Sequence, residues 1–249
     1  MIWFEIWQND YDKDGLYYYE EIEIGTDPTD PDTDNDGYRD GKDFDPLDKN
    51  VGNKLTIDKF SIGANGNSTY PILGIAFAKS YYNLQTKEIK LFTYSGIGGG
   101  EDHPPGCAIA KAWGKLGFYF ISPTKFSGEI SYMVNLNGSI LWDEALWGLE
   151  SKIEVYNGFT GSLVEDVITL NWSAESISGE KVFDNKIKIL SADVGPLPSG
   201  IEYIIYVKFN VITEALAGPQ DKSYFAQIDF FDNVKKFSLH IPYVIFEMK

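Results

Sequence analysis

Residues 129–136 read Glu-Ile-Ser-Tyr-Met-Val-Asn-Leu, with an apolar side chain at every second position. Residues 203–211 read Tyr-Ile-Ile-Tyr-Val-Lys-Phe-Asn-Val and keep an apolar side chain at alternate positions throughout. Successive side chains of a strand point to opposite faces of its sheet, so a period of two indicates strands with one face buried. Both stretches therefore predict antiparallel strands that cover a hydrophobic core.

Similar short stretches continue outward across residues 51–249, separated by turns rich in Gly, Pro, Asn and Ser. They predict strands at 54–62, 72–78, 88–93, 108–113, 118–122, 152–156, 166–172, 186–190, 225–231 and 236–242. This spacing favours an antiparallel β-sandwich, and without a clear linker we expect one large jelly-roll-like domain. The alternative is two immunoglobulin-sized domains that meet near residues 158–161. Helix is expected only as short turns at 139–149 and 213–218, capping the sandwich.

Residues 1–50 differ from the rest of the chain, because they hold 16 acidic and 4 basic residues, a net charge of −12. Residues 10–21 read Asp-Tyr-Asp-Lys-Asp-Gly-Leu-Tyr-Tyr-Tyr-Glu-Glu, and residues 32–43 read Asp-Thr-Asp-Asn-Asp-Gly-Tyr-Arg-Asp-Gly-Lys-Asp. Each is an Asp-x-Asp-x-Asp-Gly loop closed by a carboxylate at position twelve. Alternate side chains of such a loop can direct oxygens at one calcium ion, which takes about six to eight oxygen ligands.

The positions within each loop have distinct roles in this chemistry. Glycine at position six allows the sharp turn, and position seven contributes a backbone carbonyl. Asp40 at position nine of the second loop would bind directly or through water, whereas Tyr18 at that position of the first loop leaves one ligand to water. We therefore predict two or more structural Ca²⁺ ions in a calcium-binding segment over residues 1–50. The predicted ligands are Asp10, Asp12, Asp14, Leu16 and Glu21 in the first loop, and Asp32, Asp34, Asp36, Tyr38, Asp40 and Asp43 in the second.

Electrostatic repulsion gives an independent reason to expect a cation. Two carboxylates about 4 Å apart repel by roughly 4 kcal/mol at an effective dielectric constant near 20, and each loop gathers several of them. Without a counter-ion the loops should be extended and mobile. The alternative is that residues 1–50 form a solvated acidic linker.

The run Gly-Thr-Asp-Pro-Thr-Asp-Pro-Asp-Thr-Asp-Asn-Asp-Gly at residues 25–37 resembles the thrombospondin type 3 calcium repeat. The resemblance covers residues 9–48 and implies that the loops wrap shared calcium ions beside folded domains of secreted or surface proteins. It implies four additional ligands, namely Asp27, Asp30, Asp45 and Asp48. Since such repeats work where calcium is plentiful, we expect an extracellular or cell-surface location, with any signal sequence removed or upstream.

Short helices are expected on both sides of the first loop, which would make it EF-hand-like. Trp3 and Trp7 lie four residues apart, as neighbours on one helix face do. A second helix would follow the loop and end at Gly25. The tryptophans would then form a small core, or alternatively Trp3, Phe4 and Trp7 would form a docking patch for a partner.

Composition excludes several classes of partner. The net charge of −16 argues against nucleic-acid binding, and no apolar run approaches the length of a membrane span. Cys107 is the only cysteine, so an intrachain disulfide is impossible, and we expect a buried, inert thiol.

Catalytic signals in residues 51–249 do not converge. His103 and His240 are the only histidines, and the sequence 101–107 is expected to be a surface loop rather than a metal or nucleophile site. Acids such as Asp143, Glu144 and Asp229 are available, but nothing in the sequence pairs them.

We therefore predict a non-enzymatic module that uses its sandwich for adhesion or surface assembly, with calcium ordering the N-terminal segment. The alternative is a carbohydrate-binding module, with Trp142 and Trp147 as an exposed platform for sugar rings. A cell-surface protein or a polysaccharide is the expected partner, and self-assembly remains an open alternative.

Overall fold

The computed structural model describes residues 7–98, 106–173, 178–217, 224–231 and 238–249, which are mostly antiparallel β-strands. Within these residues, helix α1 (Tyr18–Ile24) and a 3₁₀ turn (Asp40–Lys42) precede the strands. The strands are β1 (Lys54–Ile57), β2 (Ile62–Ile72), β3 (Ile75–Asn83), β4 (Glu88–Ile97), β5 (Gly106–Ile121), β6 (Phe126–Asp143), β7 (Leu146–Asn157), β8 (Leu163–Ser173), β9 (Ser178–Leu197), β10 (Glu202–Ala217), β11 (Tyr224–Asp229), β12 (Ser238–His240) and β13 (Val244–Met248).

The strands form two sheets that face each other across one core. The first sheet has the order β1-β13-β6-β11-β4-β12, with β3 added to β4 and β9 added to β6. The second sheet, hereafter the β5 sheet, has the order β2-β5-β10-β7-β8. Every pairing is antiparallel, and β4 to β11 pair as a nested set in which β4 meets β11, β5 meets β10, β6 meets β9 and β7 meets β8. The predicted antiparallel β-sandwich is confirmed.

The alternation that predicted the central strands also sets the core. In β6, Ile130, Tyr132, Val134 and Leu136 are buried, and their neighbours in sequence are less so. The apolar positions of β10 from Tyr203 to Val211 are buried in the same way. Both strands therefore direct one apolar face between the sheets.

The two helical turns predicted inside the sandwich are wrong. Strand β6 runs to Asp143 and β7 begins at Leu146, so residues 139–149 are two strands joined by a tight turn. Residues 213–217 continue β10, and residue 218 lies outside the described ranges. Both segments have helix-compatible compositions, but burial of alternate side chains between the sheets outweighs local propensity.

Residues 158–161, the candidate seam between two smaller domains, form the turn of a hairpin. The N–H of Gly161 donates to the carbonyl of Asn157 at 2.8 Å, and the turn joins the paired strands β7 and β8. Both sheets contain strands from before and after this turn.

The N-terminal segment is fastened to the sandwich at one end of the core. Phe44 is buried, with its ring centroid 5.9 Å from that of Phe126 and 6.3 Å from those of Phe120 and Phe246. The hydroxyl of Thr124 donates to the carbonyl of Asp43 at 3.3 Å. A residue next to a predicted calcium ligand is thus part of the sandwich core.

The first acidic loop is followed by a helix and preceded by a partly exposed tryptophan. Helix α1 ends as expected at Gly25, whose φ of 96° suits glycine. Trp7 is half-exposed and packs against Tyr18, with ring centroids 5.6 Å apart. Residues 1–6, with Trp3 and Phe4, and residues 99–105, with His103, lie outside the described residues. Within the described ranges, no helix has the length and apolar character needed to cross a membrane.

Candidate metal centre

The two acidic loops have the same backbone path. In each, the first carboxylate accepts a hydrogen bond from the N–H of the glycine at position six: Gly15 donates to Asp10 Oδ2 at 3.3 Å, and Gly37 donates to Asp32 Oδ2 at 3.0 Å. The φ angles of these glycines are 110° and 102°, a region that L side chains rarely adopt. The sequence repeat is therefore also a structural repeat.

The other aspartates of the loops are held by similar bonds. The N–H of Leu16 donates to Asp14 Oδ1 at 2.7 Å, and the N–H of Tyr38 donates to Asp36 Oδ1 at 2.8 Å. Leu16 is buried and Tyr38 is exposed, which matches a position that contributes only its backbone carbonyl. These bonds restrict the rotation of the carboxylates even without a metal ion.

Among the residues that the structure describes, three groups of carboxylates come close together. In each group every residue offers one oxygen, and these oxygens lie within 4.8 Å of one another. Asp10, Asp12 and Asp14 form the first group. Asp14 also belongs to a second group with Glu21 and Asp40, and all three residues of that group are buried. Asp32, Asp34 and Asp36 form the third group.

Glu21 is the most exceptional of these side chains. It is completely buried, and neither of its carboxylate oxygens has a hydrogen-bond partner among the described residues. Burial, followed by the charges of Asp12, Asp14 and Asp40, raises its pKa to about 7. Burial also raises the pKa of Asp14 to about 6. A buried anion without a partner is strongly unfavourable, so this site calls for either protons or a cation.

Asp40 joins the first loop although it belongs to the second in sequence. Its oxygens accept hydrogen bonds from the N–H of Thr33 at 2.9 Å and the hydroxyl of Thr33 at 2.7 Å, and burial nevertheless raises its pKa. It lies with Asp14 and Glu21 because the second loop folds over the first. Sequence reasoning missed this contact, since spacing within one loop says nothing about how two loops pack.

Asp43 closes the second loop. It is buried, and its Oδ2 lacks a hydrogen-bond partner within the described part of the chain. Burial raises its pKa to about 6, and the neighbouring charges of Asp36 and Asp34 add to the shift. Asp43 lies outside the three carboxylate groups, and its role as the ligand at position twelve stays a prediction.

The four ligands implied only by the family resemblance lie outside the three carboxylate groups. Asp27, Asp45 and Asp48 are exposed, and Asp30 is half-buried. Asp27 Oδ1 accepts bonds from the backbone and hydroxyl of Thr29 at 3.1 and 2.9 Å, which uses it within its own turn.

The donor set of the two loops suits a hard divalent cation. All side-chain donors are carboxylate oxygens, which favour Ca²⁺ or Mg²⁺ over softer metals. Asp10, Asp12, Asp14, Glu21 and Asp40 could hold one ion, and Asp32, Asp34, Asp36 and Asp43 a second. The unpartnered oxygens of Glu21 and Asp43 fit the positions of ligands to such ions.

A second candidate site is a groove on the outer face of the β5 sheet, hereafter the β5 groove. Its centre is a row of side chains in direct register across four strands: Trp113 on β5, Asn210 on β10, Glu150 on β7 and Asn171 on β8. Asn210 Nδ2 donates to Glu150 Oε1 at 2.9 Å. The cavity has a volume of about 330 Å³ and is also lined by Lys111, Gly148 and Ile212.

Ion pairs border the β5 groove. Glu154 accepts from Lys115 at 3.0 Å and from Lys208 at 2.7 Å, and these contacts hold its pKa below the usual value against the opposing effect of burial. Lys152 bridges Glu150 at 3.5 Å and Asp166 at 3.1 Å. Three lysines are therefore paired with three acids beside the groove.

The exposed tryptophan platform, considered from the sequence as the alternative to core packing, is not formed by Trp142 and Trp147. Trp142 is 7% exposed and Trp147 is 4% exposed, with ring centroids 5.4 Å apart inside the core. Both side chains lie on the buried face of their strands. An aromatic platform for sugar rings must therefore be sought elsewhere.

Two of the other polar candidates, Asp143 and Asp229, lie well apart. Asp143 pairs with Phe225 and Asp229 with Ser139, which separates the two acids by four residues along β6, about 13 Å. Cys107 is half-buried rather than buried, and burial raises the pKa of its thiol. His240 is half-buried, and burial lowers its pKa.

No protein-family model matches the chain, and no curated protein matches its sequence. Among solved structures, the chain is similar to TmCBM61 in complex with β-1,4-galactotriose, at 10% identity over 76% of this chain and 91% of that one, with a TM-score of 0.23. CsCBM6-3 from Clostridium stercorarium in complex with cellobiose is 11% identical over 66% and 92% of the two chains, with a TM-score of 0.21. The enzymatically active domain of bacteriophage CBA120 tailspike protein 4 is 11% identical over 74% and 20%, with a TM-score of 0.26. Scores this low transfer neither fold nor function, so both rest on the residues of this chain.

Proposed function

We propose that this chain is a non-catalytic, calcium-binding module in which two or more Ca²⁺ ions order residues 1–50 against the β-sandwich. The observation that carries the proposal is Glu21, a completely buried carboxylate without a hydrogen-bond partner in the described structure. Its carboxylate lies close to those of Asp14 and Asp40, so one divalent ion would contact all three buried acids and offset two of their three negative charges. Calcium is favoured over magnesium because flexible, carboxylate-rich loops suit its larger coordination number.

The calcium would have a structural role. Binding requires deprotonated carboxylates gathered at one point, so its free energy becomes folding free energy for the segment. Phe44 transmits this order to the sandwich, because it follows Asp43 directly and packs into the core. A segment fixed in this way would set the geometry between the sandwich and a preceding domain, as an extracellular adhesion or assembly module needs.

We further infer that the sandwich is a jelly roll. The nested pairing of β4 to β11 and their distribution over two sheets support this assignment, since two Greek keys wound together give that order.

A carbohydrate-binding function is the second candidate. The β5 groove favours it, because the groove combines the half-buried indole of Trp113 with the planar polar side chains of Asn210, Glu150 and Asn171. The two functions are compatible, since the acidic loops and the β5 groove use different residues.

Calcium titration by calorimetry on the metal-stripped protein tests the main proposal, with thermal unfolding recorded with and without the ion. We expect at least two binding events and a calcium-dependent rise in the unfolding temperature. Asp14→Ala should remove one event, whereas Asp184→Ala, an exposed acid on β9, should leave both intact. Absence of binding at millimolar calcium would refute the proposal and leave residues 1–50 as an acidic segment.

A further inference from the structure

The β5 groove has a shape set by small residues on neighbouring strands. Gly66 on β2 lies opposite Trp113, and a Cβ at residue 66 would come within 2.8 Å of the indole nitrogen. The indole therefore lies against the backbone at Gly66, and Lys208 Nζ lies 5.3 Å from the centroid of its ring. Gly148 lines the groove beside Ile212, and a Cβ at residue 148 would come within 2.9 Å of Ile212 Cγ2. The absence of a side chain at residue 148 therefore keeps the base of the groove open.

The length of the row suits an extended ligand. Four neighbouring strands separated by about 4.8 Å place Trp113 and Asn171 about 14 Å apart across the sheet. A ligand that contacts the whole row must be longer than a single sugar ring. The row also runs at right angles to the strands, so the side chains of successive strands meet successive parts of the ligand.

The chemistry of the row narrows the class of ligand. An indole offers a flat apolar surface, while two carboxamides and a carboxylate offer planar sets of donors and acceptors. A sugar ring has both complementary features, an apolar C–H face and a rim of hydroxyls. A purely apolar ligand would leave Asn210 and Glu150 desolvated.

Charge argues for an uncharged ligand. Lys115 and Lys208 are paired with Glu154, and Lys152 with Glu150 and Asp166, so three acids balance these three lysines, and Lys111 is a further positive side chain on the groove lining. Glu150 at the centre of the row would repel a polyanion.

We propose that the β5 groove binds a neutral oligosaccharide segment of a polysaccharide, with Trp113 against a sugar face and Asn210, Glu150 and Asn171 on the hydroxyls. This proposal rests on the second candidate function, carbohydrate binding, and assigns that function its site and ligand class. It does not depend on the calcium sites.

Affinity electrophoresis of the calcium-loaded full chain tests the site. Gels would contain neutral polysaccharides (mixed-linkage β-glucan, xylan, galactan and galactomannan) or the polyanion polygalacturonate, in the presence and absence of 0.5 M sodium chloride. The variants are Trp113→Ala and Asn171→Ala; the exposed position of Asn171 makes the second safe for folding. Tyr119→Ala is the matched control, since Tyr119 is a 53% exposed aromatic residue on β5 outside the β5 groove.

We expect at least one neutral polysaccharide to retard the wild type at both salt concentrations. Trp113→Ala should weaken retardation at least about tenfold, Asn171→Ala should weaken it several-fold, and Tyr119→Ala should leave it unchanged. Retardation that persists in both groove variants would overturn the site while carbohydrate binding stands. Retardation only by polygalacturonate, lost in salt, would overturn the neutral ligand class. If no polysaccharide retards the wild type, both the site and the second candidate function fail.

Discussion

A carboxylate oxygen of Asp40 lies within 4.8 Å of one from Asp14, although the two residues belong to different acidic loops. The backbone N–H of Gly41 also donates to Asp14 Oδ2 at 3.1 Å, which ties the second loop to the first. The loops therefore form one unit, and an ion bound at the first loop would also contact the second.

This relationship predicts the behaviour of a double-mutant cycle. Asp14→Asn and Asp40→Asn should each weaken calcium binding at the first loop, and their effects should be strongly non-additive because both residues would contact the same ion. Asp36→Asn should act on the other binding event and combine additively with Asp14→Asn. Calorimetric titrations of the three single and three double variants measure these couplings. If the effects of Asp14→Asn and Asp40→Asn were additive, and those of Asp40→Asn and Asp36→Asn were coupled, Asp40 would be a ligand of the second loop's ion instead.

The raised pKa of Glu21 predicts opposite pH dependences with and without calcium. Its folded-state pKa is about 7, above the ordinary value of 4.5, so the metal-free folded state binds more protons than the unfolded state between these values. The stability of the metal-free protein should therefore fall as pH rises from 5 to 7.5. With calcium bound, the carboxylates must be deprotonated, so the calcium-dependent stabilisation should grow over the same range.

Glu21→Gln separates this effect from general acid sensitivity. The variant lacks the titrating group, so its metal-free stability should depend less on pH and exceed that of the wild type at pH 7.5 by on the order of 1–3 kcal/mol. It should also lose calcium affinity. Urea unfolding at pH 5, 6 and 7.5 measures both effects, and an unchanged pH slope in the variant would show that Glu21 is not the titrating group.

The sequence predicted what depends on local periodicity. Alternation identified the buried faces of β6 and β10, and Gly25 correctly ended α1. The prediction of a short helix at residues 139–149 was wrong. Alternation also holds there, but the composition favoured a helix. The sandwich buries Trp142 and Trp147 between its sheets, and this long-range packing is invisible in a window of ten residues.

The candidate sites show the same division between local and long-range information. The predicted loop ligands follow from spacing, because each loop is a contiguous run of twelve residues. The β5 groove does not, since Trp113, Glu150, Asn171 and Asn210 meet only through the register of four strands. The position of Asp40 beside Glu21 likewise depends on how two loops pack.

The packing of Phe44 in the core predicts that calcium raises the unfolding temperature of the sandwich as well as of the acidic segment. Phe44→Ala should destabilise the whole protein by about 3–5 kcal/mol, because it removes a buried ring between Phe120, Phe126 and Phe246. It should also reduce the calcium-dependent rise in the sandwich unfolding temperature, since it breaks the connection next to Asp43. Differential scanning calorimetry with and without calcium measures both effects. Leu47→Ala is the control, because Leu47 is exposed in the same segment. An undiminished calcium effect in Phe44→Ala would mean that the segment and the sandwich fold independently.

Gly37→Ala should weaken the predicted second calcium site through backbone conformation alone. A Cβ at this position would have no heavy atom within 4 Å, so Gly37→Ala introduces no clash. Its φ of 102° is nevertheless unfavourable for alanine, which should cost about 1–2 kcal/mol in the loop conformation that gathers the carboxylates. Calcium affinity at the second loop should therefore fall about tenfold, measured by calorimetry. Gly161→Ala is the matched control, because its φ is 68° and its surroundings are equally open, but it lies in the β7–β8 turn. It should lower the unfolding temperature slightly and leave calcium affinity unchanged; equal calcium affinities in both variants and the wild type would show that the loop conformation at Gly37 does not control binding.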